Sequence, residues 1–310
     1  MSQVVPAVSA AVGLFGKTPA ERDFVRVNAG AFLRAALDRW FQEGVEQLQR
    51  ERTHLPVEPA HFLISPAAGA PVFVGVLAPG EDALGRAFPV VIFAALDSQL
   101  VVEGYPLLPV WLASFCEASA RLATAAHALA TAQLAAEIDT LASDFRPAIQ
   151  APDINAHLVR SRCSDLRAAV GGPPDALAYA LTTPIAACSQ TKAPGSPARV
   201  LVLDCPAPTD ELRAFWLELV RRHLGSEVQM PSFLWTRESS RLLVARGPAP
   251  SLMLAYLADP DHKGSRRWPL RTLNQSARAN AIEKLSPAQS QVLAAEDASL
   301  ADVLQAFSEV

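Results

Sequence analysis

The sequence lacks most of what a catalytic reaction requires. No Gly-x-Ser-x-Gly elbow is present to raise a serine nucleophile. The histidines, His54, His61, His127, His157, His223 and His262, never fall into a metal-ligand spacing such as His-Glu-x-x-His. Cysteine is scarce: Cys116, Cys163, Cys188 and Cys205 stand far apart with no Cys-x-x-Cys. That spacing excludes a zinc ribbon or a disulfide framework and leaves reduced thiols as the plain expectation. Charge is sparse as well, 19% of residues with a net charge of −4. So mild a balance gives no general affinity for nucleic acid. The carboxylates, among them Glu81-Asp82, Asp153, Asp210-Glu211 and Glu296-Asp297, all have turn or cap explanations. No catalytic set, metal or cofactor is therefore expected.

A long uninterrupted apolar run is also missing. The most apolar helical stretch, 107–136, is broken by Pro109, Glu117, Arg121, His127 and Gln133. A bilayer span needs about 20 predominantly apolar residues, so a buried helix is expected without membrane insertion. The apolar stretch from Val4 to Phe15 has no basic residue before it and contains Pro6, which argues against a signal peptide. These readings place the protein in the cytoplasm.

Hydrophobic residues are plentiful, at 50% of 310 positions. A helix is predicted over 31–51, capped by Asn28, with Phe32, Leu33, Leu37, Trp40, Phe41, Val45 and Leu48 on one face. Strands are predicted at 61–65, 72–78 and 88–96, joined by links short enough for antiparallel neighbours. A long helix or a broken pair follows over 107–145, then helices at 154–169 and 174–181 and a loop at 191–197. A strand at 199–204 leads to a helix capped by Thr209 and stopped by Gly225. A hairpin is predicted from 232–235 and 241–246, and a helix at 251–257. Strands interleaved with helices on two sides predict a three-layer α/β/α sandwich around a mixed, largely antiparallel sheet. Residues 1–260 form this domain, with two subdomains meeting near 150–195 as a variant. Residues 261–310 read as a partly helical C-terminal extension.

The segment Gly13-Leu14-Phe15-Gly16-Lys17-Thr18 decides between enzyme and binding protein. It resembles the end of a phosphate-binding loop, but Ala11 stands where the first glycine belongs and Pro19 follows at once. The competing reading is a structural turn, with Lys17 as a surface cation, a partner for Asp23 or an exposed contact. Arg86 lies between Gly85 and a buried strand, so its head needs water or a carboxylate, Asp23 being a candidate. Trp235 reads as core or as an interface anchor. The basic run Lys263, Arg266, Arg267 and Arg271, with Trp268 inside it, reads as a solvated linker or as a grip on an acidic or phosphorylated partner.

Three stretches resemble the TagF (ImpM) family of the bacterial type VI secretion system. They are Phe15-Gly16-Lys17-x-Pro19 with Asp23-Phe24, then Leu84-Gly85-Arg86-Ala87-Phe88-Pro89, then Ser232-Phe233-Leu234-Trp235-Thr236. Arg22 stands where the family usually has glycine, and Leu234 where it often has a second tryptophan. The resemblance implies the same sandwich. It also implies a non-enzymatic, post-translational repressor of secretion that binds a cytoplasmic scaffold of the forkhead-associated type, Fha. It marks Lys17, Asp23, Arg86 and Trp235 as partner-binding candidates, and Phe15, Gly16, Pro19, Phe24, Gly85 and Pro89 as motif positions with a structural role. The alternatives are a nucleotide-binding switch at 13–18 and a structural subunit of the secretion apparatus.

Overall fold

The computed structural model describes residues 11–67, 69–146, 153–189, 200–224, 230–246, 249–272 and 274–308. The loop expected at 191–197 and the stop at Gly225 lie outside them. Among the described residues, nine strands form one sheet: β1 (Ala11–Gly16), β2 (Val25–Val27), β3 (Ala60–Ile64), β4 (Val72–Ala78), β5 (Val90–Leu96), β6 (Leu201–Pro206), β7 (Ser232–Trp235), β8 (Arg241–Arg246) and β9 (Arg267–Pro269). Their order is β2-β1-β5-β4-β3-β7-β8-β6-β9. Every neighbouring pair is antiparallel except β6 and β9.

The alternation of β5 shows how the sheet divides two cores. Val90, Ile92, Ala94 and Leu96 face one layer of helices, and Val91 and Phe93 face the other. The larger layer holds the helices Ala113–Ala125, Thr131–Asp144, Cys163–Val170, Pro174–Ser189 and Asp210–His223. The smaller holds Leu37–Glu51 and Met253–Ala258, which meet where Gly44 leaves room for Leu254. Both faces are covered, which is why β4 and β5 carry apolar side chains at nearly every position. The predicted three-layer sandwich is thus the observed one.

The expected helix over 31–51 is broken. Gly30–Arg34 and Leu37–Glu51 are separate helices, with Ala36 between them in the left-handed region at φ 55°. The break places the Phe32 ring 4.7 Å from Phe93 and 5.4 Å from Phe15. A left-handed non-glycine residue costs about 1–3 kcal/mol, and burying a phenylalanine returns about 1.5–3 kcal/mol. Asn28 is no cap, since it too sits at φ 50° and Ala29 holds the cap position without a side-chain bond. Thr209 does cap its helix, accepting from Leu212 N at 3.3 Å.

Three strands, β1, β2 and β9, were not predicted. β1 occupies the segment read as a turn, and its pairing with β2 and β5 uses the backbone groups that a phosphate loop would have to expose. β9 lies inside the basic run, where no apolar pattern marks it. It brings the extension beyond residue 260 into the sheet, so that part is no appendage. Leu270, Leu300, Val303, Leu304 and Phe307 are fully buried in the larger core. Among the described residues, no helix is long and apolar enough to cross a membrane. Phe307→Ala should lower stability by about 3–5 kcal/mol in urea unfolding; a change near zero would restore the appendage reading.

Candidate functional site

Sheet topology draws two of the three motif stretches together. β1 runs antiparallel to β5, with Phe15 opposite Val91. β5 also pairs with β4, with Ala78 opposite Val90. The turn after β1 therefore lies beside the turn joining β4 to β5. Contact is close enough that a Cβ on Gly16 would stand 2.3 Å from the Pro89 carbonyl oxygen, and one on Gly80 2.6 Å from that of Lys17. Glycine is needed at both places for backbone to touch backbone.

A single carboxylate locks the two turns. Asp82 has no exposed side-chain surface, with Lys17 Nζ 3.0 Å and Arg86 Nε 2.7 Å from its Oδ2. Its Oδ1 accepts from Leu84 N at 2.9 Å and Arg86 N at 3.0 Å. Gly85, at φ 73°, closes the loop by donating its N–H to the Asp82 carbonyl. The far end of Arg86 donates to Arg22 O at 2.6 Å, and Ala83 N donates to Glu21 O at 2.8 Å. Burial alone would raise the Asp82 carboxyl. The Arg86 amide, the Lys17 ammonium, the Leu84 amide and the Arg86 guanidinium outweigh it and hold the group far below the usual carboxylate range.

An aromatic cluster backs this brace. The Phe24 ring stacks on Phe15 at 4.9 Å and meets the edge of Phe88 at 4.8 Å. Lys17 Nζ lies 5.1 Å from the Phe24 centroid, so the ammonium has a carboxylate and a ring face to hold it. Lys17, Pro19, Glu81 and His127 border a cleft of about 500 Å³. On the other side of the hairpin, Val45, Leu48, Leu55, Phe88 and Pro89 line an apolar groove of about 390 Å³. Leu84, at the tip, is 62% exposed.

Several sequence expectations need correction. Lys17 is buried and paired with Asp82, so it is neither a surface cation nor the partner of Asp23. Asp23 is exposed and bonds its own neighbour, accepting from Phe24 N at 2.7 Å. Arg86 also chooses Asp82, because the left-handed glycine folds it back onto that carboxylate. Thr18 is fully buried, with its hydroxyl closed off from solvent. Trp235 is core: it is 3% exposed and stacks on His61 at 5.1 Å. That burial, with Arg237 and Arg213 nearby, pushes the His61 pKa down to about 3. The thiol of Cys116 is driven up to about 12, first by burial. Asp82 was read only as a turn carboxylate. Its signal was the spacing Asp82-x-x-Gly85-Arg86, which lets one side chain collect the amides of its own turn.

The basic run disperses. Arg267 pairs with Asp204 at 2.5 Å, and Arg271 donates to Ala169 O. Trp268 packs half-buried on the larger core. Lys263 has no side-chain partner among the described residues.

Residues 13–141 match the model of the TagF N-terminal domain, type VI secretion system-associated. Over that span the chain is similar to the TagF N-terminal domain. That span runs from β1 through β5 into the helix Thr131–Asp144 and contains the whole Asp82 brace. No curated protein matches the chain. One solved structure similar to it is the crystal structure of PA0076 from Pseudomonas aeruginosa PAO1. The two are 18% identical over 83% of this chain and 98% of that one, with a TM-score of 0.47.

The brace has a pH signature. A depressed carboxyl contributes all its stability above the ordinary carboxylate range and loses it as the pH falls through and below that range. Asp82→Asn should lower the urea midpoint at neutral pH clearly more than Asp23→Asn, and should flatten the acid limb of the stability profile. Equal effects of the two substitutions would contradict the assignment.

Proposed function

We propose that this protein is a non-enzymatic, cytoplasmic regulator of type VI secretion. It represses the system by binding a scaffold of the Fha type and so lowering the pool free to assemble. The match of residues 13–141 to the TagF N-terminal domain carries this reading. The site supports a recognition role. Lys17, Asp82 and Arg86 are spent on holding two turns together, and Phe15, Phe24 and Phe88 are spent on packing. The Leu84 tip and the apolar groove behind it face outward. A rigid loop with an exposed apolar tip binds at low entropic cost, because little is left to order.

The sign of the effect separates a repressor from a structural subunit. Deleting the gene should raise secretion in the cell that carries it, whereas loss of secretion would identify a subunit. Leu84→Asp should leave the unfolding midpoint unchanged and weaken co-purification with the Fha scaffold by about tenfold or more. Unchanged co-purification would move the contact away from the tip.

A further inference from the structure

The extension beyond residue 260 builds a second feature, on the far edge of the sheet from the brace. β9 runs parallel to β6, with Leu203 beside Trp268. Asp204, 8% exposed, receives two guanidiniums there: Arg241 through Nη2 at 2.8 Å and Arg267 through Nη2 at 2.5 Å. One negative charge thus faces two positive ones. A cleft of about 630 Å³ opens beside this triad. Lys263 and Arg271 line it too, so four cationic side chains are set against the carboxylates of Asp204 and Asp261.

Donor accounting shows what the cleft can take. A guanidinium has five N–H groups and an ammonium three. Arg267 uses three of its five, two on Asp204 and one on His262 O. Arg271 uses two, both on Ala169 O. Arg241, 8% exposed, uses four, on Asp204, Leu257 O and Tyr256 O. The ammonium of Lys263 is wholly free among the described residues. The bonds already made fix the guanidinium planes, so the remaining donors are preorganised. Planar, fixed guanidiniums with spare donors beside a free ammonium match the charge and geometry of a phosphoryl group. A carboxylate ligand would use fewer of these donors.

We propose that this cleft binds a phosphoryl group, with Arg267 and Arg271 supplying oriented N–H donors and Lys263 a mobile ammonium. Arg241 maintains the positive surplus and the position of Asp204. The phosphate is held as an anion, and no bond to it is made or broken.

The test is a titration of the full chain with inorganic phosphate and, separately, with O-phosphoserine. Ionic strength is held constant with chloride, and backbone amide shifts are followed by NMR. Saturable shifts centred on Gly264 and Lys263 are expected. Saturation by both probes means that the free phosphoryl group suffices; saturation by phosphoserine alone means that the cleft reads an ester. Losing one charge-assisted hydrogen bond costs about tenfold in affinity or more. Lys263→Gln should weaken binding by at least that factor without moving the rest of the spectrum. Arg271→Gln should do the same, serving as a second, independent variant. No saturable shift at Gly264 with either probe, or binding unchanged in both variants, overturns the proposal.

Discussion

Asp82 is sealed from solvent, and two cations and two amides converge on it, Lys17 from 65 residues away in sequence and the others from its own turn. Taking a carboxylate out of water is costly, and removing any one partner would leave that cost uncovered. The arrangement therefore works as a latch, in which the turn after β1 and the turn after β4 are held together or both are loose. Gly16 and Gly80 let the backbones touch, Gly85 folds Arg86 back, and the Phe15, Phe24 and Phe88 rings pack together with Lys17 over the Phe24 face. Each of these residue choices makes sense only if the carboxylate is the fixed point. The outward surface, the Leu84 tip and its groove, inherits its shape from that point.

The same sheet carries a second carboxylate with two cations. Asp204 gathers Arg241 and Arg267 where β9 joins β6. The two hubs differ in how their cations are used. At Asp82, Lys17 is buried against the carboxylate and Arg86 bridges that carboxylate to Arg22 O, so both cations tie the two turns to each other. At Asp204 the arginines retain unused donors and open onto a cleft. Between the hubs, β3 and β7 pair through His61, Phe62 and Leu63, joining the strands of the TagF N-terminal span to those of the second half in one sheet. Stacking of His61 on Trp235 lies at that seam, which explains why this tryptophan packs inside.

Much of this was legible in the residues. β4 is the predicted run to the residue, and β5 and the hairpin of β7 and β8 lie where branched and aromatic residues alternate between turns. Covered strands announce themselves by unbroken hydrophobicity, and the Thr209 cap by its hydroxyl. The misses share one physical cause, which is long-range pairing that overrides local signal. β1 carries two glycines and runs into Lys-Thr-Pro, yet it is a strand because β2 and β5 flank it. β9 is basic, yet it is a strand because Asp204 neutralises it. The helix break at Ala36 answers to Phe32, whose rings of contact come from three other elements. At the site, the pairing of Lys17 with Asp82 could not be read without knowing that β1 lies against β5, whereas that of Arg86 was open to the spacing Asp82-x-x-Gly85-Arg86.

The latch is tested most directly by native-state hydrogen exchange of the Ala83, Leu84 and Arg86 amides in the wild type and in Lys17→Met. Lys17 touches none of these amides; its loss reaches Leu84 and Arg86 through the shared carboxylate and Ala83 through the turn that carries Glu21. Faster exchange at all three, with β4 and β5 amides unchanged, is the predicted result. Exchange at these positions that ignores the substitution would contradict the account.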